Sequence, residues 1–133
     1  MTHATKRSTR LLFALLYSLG ASCAVIALFQ IALGLSAIPG AGHASATVDS
    51  EHRFYAIFFL GFGIALIWCA RSLAARLTQA RFLLALFFAG GLARLVSIVQ
   101  VGPPSDFFLV LTGIELTLPV LMIALMGSAY RTD

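Results

Sequence analysis

The sequence has few charged residues for its length. Only 11% of its 133 residues are Asp, Glu, Lys or Arg, whereas 60% are hydrophobic. An ordinary soluble domain carries roughly 25% charged residues, and a soluble fold of this size could not cover its surface with so few. The composition therefore excludes an ordinary soluble domain, and the length predicts one domain spanning residues 1–133.

The residue types that build reactive sites are also scarce. Cys23 and Cys69 form no Cys-x-x-Cys motif, and helix rise separates them by about 10 Å or more in depth, too far for a disulfide. No apolar segment contains a histidine that could bind haem, and no phosphate-binding loop is present. Basic residues do not alternate with aromatic ones, which argues against nucleic-acid binding. We therefore predict no catalytic residue, metal or cofactor, and favour a protein that is not an enzyme.

The hydrophobic residues form four long blocks. A helix needs roughly 20 residues to cross the hydrocarbon core of a bilayer, and no block alternates apolar with polar residues as a barrel strand would. We predict an all-α membrane protein, an antiparallel bundle of four transmembrane helices over about residues 11–35, 54–73, 82–101 and 107–127. Asp49 or Ser50 is the expected N-cap of the second helix.

The basic residues predict an orientation. Cytoplasmic loops of membrane proteins carry an excess of Lys and Arg, and seven such residues fall on one predicted side against Arg53 alone on the other: Lys6, Arg7, Arg10, Arg71, Arg76, Arg81 and Arg131. We therefore predict a multi-pass protein of a bacterial inner membrane with both termini in the cytoplasm.

Small residues predict where the helices touch. Helices in lipid associate through close backbone approach, so contact faces are expected among the small residues of the second and third helices: Gly61, Gly63, Ala85, Ala89, Gly90 and Gly91. Gly and Ala are also common throughout membrane helices, and for any single one of these residues this is the simpler explanation.

Two charged residues lie deep within apolar blocks. Charge at such depth is costly and usually finds a partner. Arg94 precedes Pro103 by nine residues and Glu115 follows it by twelve, which places them roughly 14 Å and 18 Å below the turn. We therefore predict that they pair. Pro119 also removes the amide that would bond the carbonyl of Glu115, and this carbonyl is a second possible acceptor for Arg94.

Other polar residues are expected in the same half of the bundle. We predict an outward-facing polar pocket formed by Gln30, Glu51, Arg53, Arg94, Ser97, Thr112 and Glu115. Two interpretations remain open for it. The first is a structural ion-pair network that sets helix register. The second is a binding site for a small anion, a lipid headgroup or a quinone-like molecule.

Several short motifs resemble a known family. They are the Ser50-Glu51-His52-Arg53-Phe54 start of the second helix with Gly61 and Gly63, Ala93-Arg94-Leu95-Val96-Ser97, Val101-Gly102-Pro103, and Ile114-Glu115-Leu116. In this order the chain resembles the small bacterial four-helix membrane proteins of domain of unknown function 4345, from about Asp49 to Met126; the first helix fits by hydropathy alone. The resemblance implies four helices with polar positions at Arg94 and Glu115, but no activity. Such proteins look similar in architecture to the DoxX-like group, some of which are linked to quinone-dependent sulfur oxidation.

Three functions are compatible with these features. The first is an accessory or interaction subunit with a membrane protein partner and a buried Arg94–Glu115 pair. The second is a redox-associated membrane protein that binds a quinone or another lipid-soluble small molecule. The third is a small proton-coupled exporter. Small multidrug transporters carry their essential glutamate in the first helix, where this chain has Gln30, and this departure counts against export.

Overall fold

Four long helices make up most of the chain. The computed structural model describes residues 3–43 and 45–130. In these residues the helices are α1 (His3–Leu33), α2 (Ala46–Ala70), α3 (Leu77–Val101) and α4 (Asp106–Ala129). Short 3₁₀ turns follow α1 at Gly34–Ala37 and α2 at Leu73–Ala75. All four long helices are apolar enough to cross a membrane, and the predicted antiparallel bundle of four transmembrane helices is confirmed.

Helix α2 begins earlier than its apolar block. Its N-cap is Ser45, whose hydroxyl accepts a hydrogen bond from the amide of Val48, so the predicted N-cap at Asp49 or Ser50 is wrong. Serine accepts this bond in the first turn of a helix as well as aspartate does. Asp49 instead lies in the first turn of α2 and accepts a hydrogen bond from the amide of Leu35 at 2.9 Å.

A close helix crossing between α1 and α2 depends on two glycines. A Cβ atom added to Gly63 would lie 2.6 Å from the carbonyl oxygen of Gly20, and one added to Gly20 would lie 2.8 Å from that of Gly63. Gly63 and Gly91 are thus at helix contacts, as expected from their size. In contrast, a Cβ at Gly61 or Gly90 would meet nothing within 4 Å, and Ala85 and Ala89 are exposed.

The bundle has two chemically different ends. We call the end that holds the start of α1 and the α2–α3 connection the basic end, because six basic residues lie there: Lys6, Arg7, Arg10, Arg71, Arg76 and Arg81. Arg76 packs over the ring of Trp68 at 3.8 Å and donates to its carbonyl oxygen at 2.5 Å. The opposite end, formed by residues 34–43, 45 and 102–105 of the described chain, is called the loop end. Arg131 lies outside the described residues.

The two hairpins, α1–α2 and α3–α4, are joined mainly near the basic end. The buried apolar cluster contains Leu12, Leu16, Leu19, Cys23, Leu66, Cys69, Ala70, Leu73, Ala80, Leu84, Met122 and Met126, and most of these residues lie in the half of their helix that is nearer the basic end. Both cysteines are free, as predicted. Toward the loop end the hairpins are separated by cavities, which leave room for a site.

The glycine crossing predicts unequal effects of two matched substitutions in α2. Gly63→Ala should destabilise the protein by about 1–3 kcal/mol, because overpacked contacts force the backbones apart. Gly61→Ala should be neutral or slightly stabilising, because its Cβ meets open space. Unfolding by sodium dodecyl sulfate in mixed micelles, followed by circular dichroism, measures both. Equal midpoints for the two variants would show that the α1–α2 crossing does not limit stability.

Candidate functional site

Arg94 and Glu115 form an ion pair between α3 and α4. The Nε atom of Arg94 donates to Oε2 of Glu115 at 2.7 Å. The Glu115 side chain is 10% exposed and that of Arg94 is 39% exposed. The matching depths expected from the two chain distances to Pro103 are therefore present in the structure, and the two residues lie side by side within the apolar bundle.

A glycine on α3 allows Glu115 to lie this close. A Cβ atom on Gly91, three residues before Arg94, would lie 3.1 Å from the Cβ of Glu115 and 3.0 Å from the side chain of Leu116. Pro119, four residues after Glu115, is buried within α4. The freed carbonyl of Glu115 receives no hydrogen bond from Arg94, whose bond goes to the carboxylate.

The ion pair leaves hydrogen-bonding capacity unused. A guanidinium carries five N–H donors, and a carboxylate has two acceptor oxygens. Within the described part of the chain, only Nε of Arg94 and Oε2 of Glu115 take part in a hydrogen bond. The guanidinium carbon of Arg94 lies 5.3 Å from the centre of the Phe108 ring, which supports one side of the group. The terminal nitrogens and Oε1 are therefore free to bind a further polar group.

A cavity between α1 and α4 reaches this pair. Its volume is about 570 Å³, and Arg94 and Glu115 line it together with α1 and with the 3₁₀ turn and loop after α1. Most lining side chains are apolar or aromatic, and the uncharged polar ones are Ser18, Ser22 and Gln30. This combination of an apolar chamber with a few converging polar groups is typical of small-molecule sites.

Two smaller clefts are also lined by these charged residues, one by both members of the ion pair and the other by its arginine. A cleft of about 360 Å³ between α2 and α3 is lined by aromatic rings and by both Arg94 and Glu115. Phe59 and Phe87 line this cleft and the α1–α4 cavity, so they form part of the wall between the two. A third cleft of about 300 Å³ at the loop end is lined by Arg94, Ser97 and Phe108.

The structure brings only part of the predicted polar pocket together. Gln30, Arg94 and Glu115 line the α1–α4 cavity, and Ser97 lies beside Arg94 in the loop-end cleft. Thr112 is buried, but its hydroxyl donates to the carbonyl of Phe108 in its own helix at 2.8 Å. Glu51 is exposed and lines none of these cavities.

Arg53 belongs to a separate cluster that closes the end of α1. It contacts Asp49 at 2.8 Å and donates to the carbonyls of Ile31 and Ala32. These carbonyls lie in the last turn of α1, where helical partners are missing. Gly34 follows with a φ of 60°, and a Cβ there would overlap Asp49. The cluster is therefore a cap provided by a neighbouring helix.

Sequence reasoning missed several of these contacts. The Asp49–Arg53 spacing of four residues and the glycine after α1 are recognisable signals for an ion pair and a helix C-terminus, and together they could have indicated the cap. The cavity residues Phe107, Phe108 and Ile38 carry no comparable signal. Whether these residues line the cavity depends on how far the two hairpins separate. In the described residues, no group of three or more His, Cys, Asp or Glu lies close enough to hold a metal ion.

The fold and site define a class: a four-helix membrane protein with a charged pair that lines two neighbouring cavities. The family model Domain of unknown function (DUF4345) matches residues 11–126. The chain belongs to this family, and the match includes α1 from residue 11 onward, for which the sequence motifs showed only hydropathy. Comparisons with curated proteins and with solved structures find no match. None of these comparisons shows the expected likeness to the DoxX-like group.

The ion pair predicts a non-additive set of stabilities. Arg94→Met should destabilise the protein by about 2–5 kcal/mol, because it leaves the Glu115 carboxylate without a partner in an apolar setting. The double variant Arg94→Met/Glu115→Gln should recover part of this loss, because no unpaired charge remains. Unfolding in mixed micelles gives the coupling energy.

Arg81→Met is the matched control, since Arg81 is exposed at the basic end. If Arg94→Met folds and inserts as well as Arg81→Met, the purely structural interpretation of the pair fails.

Proposed function

We propose that the protein binds a lipid-soluble small molecule in the α1–α4 cavity, with the molecule's polar group against Arg94 and Glu115. The observation that carries this proposal is the position of an incompletely bonded ion pair in the wall of a largely apolar chamber of about 570 Å³. Pockets for drug-sized ligands have volumes of about 300–1,000 Å³. An ion pair that served only to set helix register would need no adjoining chamber.

The position of the cavity between α1 and α4 suggests that its ligand comes from the bilayer. Several lining residues on α1 and α4 are also exposed, including Phe29, Phe107 and Ile114, and these helices do not fully enclose the cavity. We propose that its opening between α1 and α4 faces lipid, so that a molecule dissolved in the bilayer reaches the chamber without crossing water. A quinone is one member of this ligand class, whereas a redox role has no separate support in the site.

An accessory or interaction subunit is the second candidate. Helix α3 is the least buried of the four helices, and Leu92, Val96 and Val99 are exposed along it. Such a surface suits a partner helix as well as lipid. A proton-coupled exporter is less favoured, because the carboxylate of Glu115 is already bound by Arg94.

The proposed setting is a bacterial inner membrane with the basic end in the cytoplasm. Six basic residues at one end of the described chain support this orientation through the positive-inside rule. The loop end, and with it the ion pair's half of the bundle, would then lie toward the outer face.

Filling the cavity should remove the ligand. Ser22→Phe places a ring in the chamber from an exposed position on α1 that lines it. We expect mass spectrometry of lipid extracts to find a small molecule that co-purifies with the unmodified protein in mild detergent and is lost from this variant.

Ala21→Phe is the matched control, because Ala21 is the exposed neighbour that lines no described cavity; it should retain the molecule. Extracts without any enriched small molecule from all three proteins would contradict the binding proposal. A stable polypeptide partner in the same preparations would instead favour the accessory subunit.

The orientation can be measured with single cysteines in a chain whose two native cysteines are replaced by alanine. Ser105→Cys lies in the turn at the loop end and Ser72→Cys in the connection at the basic end, and both positions are exposed. On intact cells, a membrane-impermeant maleimide should label only Ser105→Cys. Ser72→Cys should react after the membrane is opened. The reverse pattern would invert the proposed topology.

A further inference from the structure

We infer that the ligand's head group is uncharged and both donates and accepts hydrogen bonds, as an alcohol, a phenol or an amide does. This inference rests on the proposed function and selects one ligand class for the same site. It separates the uncharged class from two others that an arginine in a cavity could suggest, an anionic lipid headgroup and a small anion.

The first reason is the charge balance of the cavities. Among the described residues that line the three cavities, Arg94 and Glu115 are the charged ones. Their formal charges cancel, and the 2.7 Å contact keeps them together. An anion bound by Arg94 would lie beside the Glu115 carboxylate, and a cation bound by Glu115 would lie beside the guanidinium. Either ligand would carry an uncompensated charge into an apolar chamber, which is costly.

The second reason is the hydrogen-bonding capacity that the pair leaves unused. The terminal nitrogens of Arg94 can only donate, whereas Oε1 of Glu115 can only accept. Neither has a hydrogen-bond partner among the described residues. A head group that carries a donor and an acceptor within a few ångströms of each other satisfies both sides. A group that only accepts, such as an ester, leaves Oε1 without a partner.

The third reason is the charge around the loop end. The formal charges near this end are those of Asp49, Glu51 and Asp106 against that of Arg53, with the histidines His43 and His52 counted as neutral. The surplus of basic residues is at the opposite end of the bundle. The field near the cavity therefore does not attract anions, whereas a site for an anionic headgroup would be expected near the basic end.

Photolabelling with chain-matched probes tests the inference. The probes share one diazirine-bearing ten-carbon chain and end in a primary alcohol, a methyl ester, a carboxylate or a quaternary ammonium. Each is supplied to the protein in vesicles of uncharged phosphatidylcholine at the same mole fraction. Peptide mapping by mass spectrometry then measures labelling of the α1 and α4 residues that line the cavity. The alcohol should label them most, and the ester less.

Substitution of either charged residue should change which probe labels the cavity most strongly. Glu115→Gln leaves Arg94 unpaired, so the carboxylate probe should overtake the alcohol. Arg94→Gln leaves Glu115 unpaired, so the ammonium probe should do so. Each change in relative labelling should be about tenfold or more, the size that a mispaired charge in an apolar site produces. Arg81→Gln removes a charge at the exposed basic end and should leave the preference of the unmodified protein unchanged.

The unmodified protein alone can overturn the inference, so the result does not depend on whether the variants fold. Stronger labelling by the carboxylate or the ammonium probe, or equal labelling by all four, would refute the uncharged head group and leave the binding proposal standing. If no probe labels the cavity of the unmodified protein more strongly than that of Ser22→Phe, both the head-group inference and the binding proposal are refuted.

Discussion

The bond between Arg94 and Glu115 constrains much of the surrounding bundle. Neither charge is tolerable alone in an apolar interior, because desolvating an ion costs several kcal/mol unless a partner compensates it. The pair therefore requires the two residues to lie at one depth, which the tight connection between α3 and α4 provides. It also requires the two helices to approach closely beside Glu115, and Gly91 allows this approach. The register of the second hairpin and the position of its glycine thus follow from the need to pair one charge with another.

A second constraint divides the bundle along its length. Near the basic end, large apolar side chains from all four helices form one packed cluster. Farther along, the hairpins separate, and the resulting space includes a cavity of about 570 Å³. The Arg53–Asp49 cluster closes the end of α1 against the start of α2 in this looser half. A packed half and an open half are compatible in one small protein because the first supplies cohesion and the second leaves room for a ligand.

Much of the fold could be predicted from the sequence, but less of the site. Four long apolar blocks with short polar connections permit few arrangements in a bilayer, since lipid offers no partner to an unpaired backbone. The Arg94–Glu115 contact followed from two chain distances to the same turn.

In contrast, Glu51, Arg53 and Thr112 share the depth range of the pocket but not its position, because depth does not specify which way a side chain points around its helix. Arg53 contacts Asp49 and the end of α1, and the Thr112 hydroxyl bonds to its own helix. The sequence predicted a helix contact at Gly63, but it did not identify Gly20 on α1 as the residue that Gly63 meets.

The sequence by itself determined the class of fold, the antiparallel order of the helices and the charged residues that had to pair. These properties depend on composition and on distances along the chain, and both can be obtained directly from the sequence. The tertiary structure alone decided where the hairpins touch and where they separate, and therefore which uncharged residues share a cavity with the ion pair. That outcome depends on the rotation and separation of whole helices, which are set by the sum of many small packing contacts. It also decided that the two side chains that line this cavity keep unbonded donors and an acceptor, and the proposed ligand chemistry depends on those groups.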